Sequence, residues 1–155
     1  MTVAEKLVEL LKAQGLTCAT AESCTGGGVG AAITAVPGSS AVFAGGVISY
    51  ANEVKRDVLG VSDHNLQTVG AVSPEVAAQM ADGVRRLLKT DLAVSLTGIA
   101  GPDGGSAEKP IGLVWFGLST KDGTRTEKVI FSGDRAQVRA QAVIHALGML
   151  TIAAT

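Results

Sequence analysis

Two hydrophobic periods alternate along the chain. Val3, Leu7, Leu10 and Leu11 recur at helical spacing among Glu5, Lys6, Glu9 and Lys12, so residues 1–14 predict an amphipathic helix that Gly15 ends. Residues 17–21 read as a short strand running into the polar turn Glu22-Ser23-Cys24-Thr25. Residues 26–36 then read as a helix of small residues that Pro37 stops. A second strand is expected over 45–50, a short helix over 52–59 with Asn52 as its cap and Gly60 as its close, and further helical turns over 62–69. The clearest helix starts at Ser73-Pro74, a capping serine before proline at the first helical position. Val76, Ala77, Met80, Ala81, Val84, Leu87 and Leu88 follow on one of its faces. Residues 92–97 and 111–119 are apolar and β-branched, hence central strands, separated by a long glycine-rich loop. Asp122-Gly123 signals a hairpin into a strand over 125–131, and Asp134 caps a last helix with Val138, Ala142, Val143, Ala146, Leu147 and Leu150 toward the core.

Strands alternating with helices and ending in a hairpin predict an α/β fold, a three-layer α/β/α sandwich with a mixed sheet of about five strands. No repeat, linker or low-complexity tail interrupts residues 1–155, so a single domain is expected. Composition narrows the partners. With a formal net charge of −1 and few aromatics, the chain lacks the basic face and stacking platform of a nucleic-acid binder. It has no uncharged apolar run of the roughly 20 residues that a bilayer span requires, and its first helix is too charged for a signal peptide. No membrane partner and a cytoplasmic location follow as expectations. Cys18 and Cys24 have no histidine or cysteine at ligand spacing, which predicts neither a disulfide framework nor a metal site.

Ligand groups in such sheets gather in loops at strand ends. In the first loop, Ser23, Thr25, Gly26 and Gly27 bring hydroxyls and free backbone N–H groups to the start of a helix, an arrangement suited to an anion or a developing oxyanion. Gly26, Gly28 and Ala31 match G-x-G-x-x-A formally, but the polar turn stands where a dinucleotide fingerprint needs glycine directly after the strand. The second segment joins Gly38-Ser39-Ser40 to Ser49-Tyr50 and Lys55; no Ser-His-Asp set is readable, so a lysine of depressed pKa with a tyrosine relay is the base that a serine could use. The third is the loop from Thr97 and Gly98 through Gly101 to Lys109-Pro110, long enough in a compact domain to imply function. Arg135 and Arg139 share one face of the last helix beside Ser132-Gly133-Asp134 and could clamp a phosphate. His64 and His145 occupy unremarkable settings. A non-catalytic nucleotide-binding or regulatory module satisfies the same residues.

Six ordered motifs spanning nearly the whole chain resemble the CinA C-terminal domain family: Ala21-Glu22-Ser23-Cys24-Thr25-Gly26-Gly27, Pro37-Gly38-Ser39-Ser40, Tyr50-Ala51-Asn52-Glu53-Val54-Lys55, Gly70-Ala71-Val72-Ser73, Thr97-Gly98-Ile99-Ala100-Gly101-Pro102-Asp103-Gly104-Gly105 and Phe131-Ser132-Gly133-Asp134-Arg135. Larger members carry an additional amino-terminal domain that is not expected here. The resemblance implies an amidase that hydrolyses the carboxamide of nicotinamide mononucleotide in pyridine-nucleotide salvage, with no cofactor, a small-molecule nucleotide as partner and a homodimeric state. Carried over by motif, Ser40 is the leading nucleophile with Tyr50 and Lys55 handling protons, and Ser23 and Thr25 are rival hydroxyls. Thr97 and the backbone of Gly98 to Gly101 are expected to hold the amide and its oxyanion, and Arg135 the phosphate.

Overall fold

The computed structural model describes residues 1–155. The chain runs through α1 (Val3–Gln14), β1 (Cys18–Glu22), α2 (Gly28–Thr34), a 3-10 turn (Ser39–Ala41), β2 (Phe43–Ile48), α3 (Asn52–Leu59), α4 (Asp63–Thr68), α5 (Pro74–Leu88), β3 (Leu92–Gly98), β4 (Leu113–Thr120), β5 (Gly123–Ile130) and α6 (Arg135–Ala154). One five-stranded sheet has the order β2-β1-β3-β4-β5. β1 runs parallel to both β2 and β3, while β4 is antiparallel to β3 and to β5. The α/β architecture is therefore the expected mixed sheet between two helical layers. No helix is long and apolar enough to cross a membrane.

Boundaries shift where pairing or backbone geometry overrides local pattern. Glu22 belongs to β1, not to the turn, because Ile48 and Leu96 pair with it on either side. β2 stops at Ile48, so Ser49 and Tyr50 emerge past the strand end. α2 begins only at Gly28, since Gly26 and Gly27 take the left-handed φ values of 60° and 99° that favour glycine. Asn52 is the first helical residue of α3 and Ala51 its cap, with no side-chain hydrogen bond, so Asn52 is free of the expected capping role. In the hairpin, Thr120 pairs with Gly123, leaving Lys121-Asp122 as the turn, one residue ahead of the Asp-Gly signal. The strongest cues hold: Ser73 caps α5 through Val76 N, and Asp134 forms a capping box with Gln137 at the start of α6.

Strand alternation builds two cores. In β1, Cys18 joins Val29, Ile33, Leu96, Phe116, Val138 and Leu147 beneath α1, α2 and α6. Ala19 and Ala21 point the other way, to Leu59, Val76, Met80 and Val84 of α3 and α5. Small residues on that second face let α5 approach closely. Ser95 Oγ donates to Ala77 O at 2.5 Å, and a Cβ on Gly117 would collide with the same carbonyl and come within 2.6 Å of Ser95 Oγ. Both obstacles are in the packed interior, so Gly117→Ala is expected to lower stability by about 2 kcal/mol. A denaturant midpoint equal to that of the parent would contradict this packing.

The polar ends of β1, β2 and β3 lie together, because all three strands run the same way. β1 leads on to β2 at one side of the sheet and β3 to β4 at the other. A crevice is expected where neighbouring strands part company in this manner.

Candidate active site

Alternation continues one step past the end of β1. Glu22 follows Cys18 and Thr20 toward α2, and Ser23 follows Ala19 and Ala21 toward α3. Adjacent residues therefore serve opposite sides of the sheet.

On the α2 side, Glu22 is 2% exposed and its carboxylate is fully occupied. Oε1 accepts from Thr25 Oγ1 at 2.6 Å and from Val29 N at 2.8 Å, and Oε2 accepts from Gly30 N at 3.0 Å. The anion at the start of this helix is thus the chain's own carboxylate, which corrects the bound-anion half of the first-loop reading and leaves its oxyanion half to the amides of the turn. Thr25 is buried with its hydroxyl proton given to Glu22, so it cannot serve as an accessible nucleophile.

On the α3 side, Lys55 is 1% exposed and forms no salt bridge. Its Nζ lies 3.1 Å from Ser23 Oγ, 2.7 Å from Ser49 O and 3.1 Å from Tyr50 O. Burial pushes its ammonium below the ordinary lysine value, against a smaller opposing influence of Cys24. The neighbouring thiol is no rival: burial raises Cys24 to about 11, which keeps it protonated at neutral pH.

Ser23 and Lys55 line a cleft of about 210 Å³ together with Cys24, Asn52, Tyr50 and Thr97. Ala71, Val72, Gly98, Ala100 and Arg135 complete it. A larger groove of about 620 Å³ sits at the other end of the parallel strands between Leu16, Leu92, Leu118 and the β4–β5 hairpin, and its one lysine, Lys121, is exposed on the hairpin turn.

The expected trio of Ser40, Tyr50 and Lys55 does not assemble. Ser40 is an exposed residue of the 3-10 turn before β2, whereas Tyr50 and Lys55 lie beyond its far end. Six extended residues separate them, roughly 20 Å at the usual strand rise. Tyr50 meets Lys55 through its backbone carbonyl, and its ring, 64% exposed, stands at the cleft rim.

Thr97 Oγ1 donates to Ala71 O at 2.9 Å, so its proton is committed and its free lone pair can only accept. Arg135 Nη1 donates to Gly101 O at 2.8 Å and keeps its remaining donors at the cleft. Arg139 does not share in a phosphate clamp. Its Nε donates to Cys24 O at 3.1 Å and its Nη2 to Thr25 O at 3.2 Å, which fixes it to the turn after Ser23. Gly26 and Gly27 shape that same turn.

Sequence reading overlooked the Ser23–Lys55 contact and the role of Glu22. One cue to the first was available: Lys55 shares a helical face with Leu59, the buried residue four positions on.

Known proteins resemble the chain over most of its length. The family model described as the CinA C-terminal domain matches residues 1–153. The nicotinamide-nucleotide amidohydrolase PncC of Escherichia coli K12 is 49% identical over 151 residues, which cover 97% of this chain and 92% of that protein. A protein of the same name from Enterobacter agglomerans is 54% identical over 138 residues, covering 88% and 84%. A competence-damage inducible protein of Caldanaerobacter subterraneus is 51% identical over 146 residues, and there the match covers 94% of this chain but 35% of the relative. The chain thus spans about a third of the length of such longer relatives. Among solved structures, a competence/damage inducible protein from Agrobacterium tumefaciens superposes with a TM-score of 0.94 at 43% identity, covering 98% of this chain and 93% of that one. With the family model matching residues 1–153 and the fold in agreement, the chain belongs to the CinA C-terminal domain family.

Proposed function

We propose that the chain is an amidohydrolase converting nicotinamide mononucleotide and water to nicotinate mononucleotide and ammonia, with Ser23 as nucleophile and Lys55 as its base. The observation that carries this is the buried, unpaired Lys55 within hydrogen-bond reach of Ser23 Oγ. Likeness to the two amidohydrolases over most of their length supports the substrate.

Proton counting supports the roles. A neutral lysine amine has two N–H donors and one lone pair. Ser49 O and Tyr50 O take the two donors, and the lone pair is left for the Ser23 hydroxyl proton. Ser23 Oγ then forms a bond to the carboxamide carbon as Lys55 takes its proton. The tetrahedral oxyanion needs donors, and the Cys24 and Thr25 amides, which donate to no carbonyl in the fold, can supply them. Collapse breaks the C–N bond as Lys55 returns the proton to the leaving nitrogen, and ammonia departs. Lys55 next deprotonates a water that attacks the acyl-serine ester, and its proton passes back to Ser23 on release of the acid. No cofactor is required at any step.

Substrate contacts follow from what each group has free. Thr97 accepts from the carboxamide N–H, the Tyr50 ring stacks on the cationic pyridinium, and Arg135 pairs with the phosphate. Free thiols at Cys18 and Cys24 suit a reducing, cytoplasmic compartment, and a homodimer completes the proposal.

Ammonia release from purified protein tests the reaction. Nicotinamide mononucleotide should be consumed and free nicotinamide should be a poor substrate, since it lacks the phosphate. Nucleotide binding without ammonia release would instead mark a non-catalytic binding module. Because Arg135 is an exposed residue, Arg135→Ala is expected to raise KM by about tenfold with little change in kcat, and lysine should restore part of the loss. An unchanged KM would remove Arg135 from the phosphate site.

A further inference from the structure

The turn that follows Ser23 has an unusual hydrogen-bond balance. The carbonyls of Ser23, Cys24 and Thr25 are all engaged: Ser23 O accepts from Gly26 N at 3.1 Å, Thr25 O from Gly28 N at 3.0 Å, and Cys24 O from Arg139 Nε at 3.1 Å. Its first two amides are not. Cys24 N and Thr25 N belong to buried residues, yet neither donates to a backbone carbonyl or to the side chain of another residue. Buried N–H groups without an acceptor are rare, because each forfeits its hydration. Thr25 N is left without a partner and Cys24 N with only its own thiol. Both directly follow a serine held by a buried lysine, and Cys24 lines the cleft, so an acceptor that arrives with the reaction explains them.

We propose that Arg139 is a positioning residue for this pair of donors: its guanidinium, bridging Cys24 O and Thr25 O from α6, turns the peptide between Cys24 and Thr25 so that the Thr25 N–H is presented to the oxyanion. This rests on Ser23 being the nucleophile. A trans peptide holds its C=O and N–H in opposite directions, so a clamp on Cys24 O also fixes where the Thr25 N–H points. The clamp is charged, and a cation on a carbonyl draws electron density from the peptide, making its N–H a stronger donor. The fork matters as well as the charge. Nε and Nη2 reach two successive carbonyls at 3.1 and 3.2 Å, which an ammonium cannot do with the same planar geometry. Arg139 lies four residues after Arg135, one helical turn along α6, but only Arg135 lines the cleft. The two arginines therefore divide the work, one for substrate affinity and one for the reacting carbonyl.

Steady-state kinetics of Arg139→Ala and Arg139→Lys on nicotinamide mononucleotide test the division. A nucleotide whose carboxamide is replaced by an aldehyde serves as second probe, since addition of Ser23 to it places an oxygen where the oxyanion forms. For Arg139→Ala, kcat should fall about 10- to 100-fold with KM within twofold of the parent. Inhibition by the aldehyde should weaken by the same factor, while inhibition by the product acid should not change. Lysine should recover part of kcat, and millimolar guanidinium added to the alanine variant should recover part as well. A merely structural role would lower the active fraction without weakening the aldehyde selectively, and would give no rescue by guanidinium. Raised KM at normal kcat, or a kcat loss that the aldehyde does not follow, overturns the proposal. The kcat and KM of Arg139→Lys decide the matter if alanine unfolds the chain. Failure of the amidase reading is seen separately, as absence of ammonia from the parent protein or full activity in Ser23→Ala.

Discussion

Ser23→Ala is expected to abolish ammonia release, by about 10⁴-fold or more in kcat, while the protein keeps its fold and its affinity for the nucleotide. The hydroxyl contributes one hydrogen bond to stability, and Lys55 retains both of its carbonyl acceptors when that hydroxyl is gone. Ser40→Ala makes the paired measurement. Ser40 is exposed on the turn before β2, so its loss should leave kcat near that of the parent. The opposite outcome, with Ser40→Ala dead and Ser23→Ala active, would overturn the site as assembled at the carboxyl ends of β1 and β2.

A second large effect is expected at Lys55, in both activity and pH dependence. Lys55→Arg should lose at least about 10³-fold in kcat/KM at every accessible pH, because a guanidinium does not give up its proton. In the parent, kcat/KM should rise as pH climbs through the depressed value of Lys55 and the amine becomes a base. Stability should move in the same direction. The folded lysine binds its proton more weakly than the unfolded one, so between the lowered folded value and the ordinary value near 10.5 the unfolded chain holds more protons. Raising pH across that window therefore stabilises the fold, and lowering pH through the folded value removes the gain. Lys55→Met, which has nothing to titrate, should lack this slope in a series of denaturant midpoints. Parallel slopes in the two proteins would show that the Lys55 ammonium is not strained by burial. The double variant Ser23→Ala with Lys55→Met should be scarcely less active than Ser23→Ala alone, since the two act as a unit.

Most of the architecture was legible because it is local. Ser73-Pro74 and Asp134 mark the starts of α5 and α6 through contacts within three or four residues, and the apolar strands around residues 94 and 116 announce themselves by composition. The proposed catalytic pair was not legible for the opposite reason. Ser23 and Lys55 are 32 residues apart, and their meeting depends on β1 and β2 pairing in parallel and on α3 folding back beneath them. No turn or cap records that register. Ser40 and Lys55 are closer in sequence but farther in space, because β2 is an extended rod between them. Tyr50 illustrates a second loss of information: its side chain draws attention, but the atom that touches Lys55 is its carbonyl, which any residue would provide.

The side-to-side alternation at the end of β1 also acts as a safeguard. Glu22 is the carboxylate nearest the proposed nucleophile in sequence, and an acid and a buried lysine left on the same side would pair at once. Such a pair would hold the Lys55 proton and leave Ser23 without a base. Here Thr25, Val29 and Gly30 keep the carboxylate occupied across the sheet. A slip of β1 by a single residue would exchange the two sides and turn the proposed base into an inert ion pair. What insulates the lysine from the acid next door is the pleat of the strand itself, so the reactivity of this centre is guarded by the same register that packs Ala19 and Ala21 into the core.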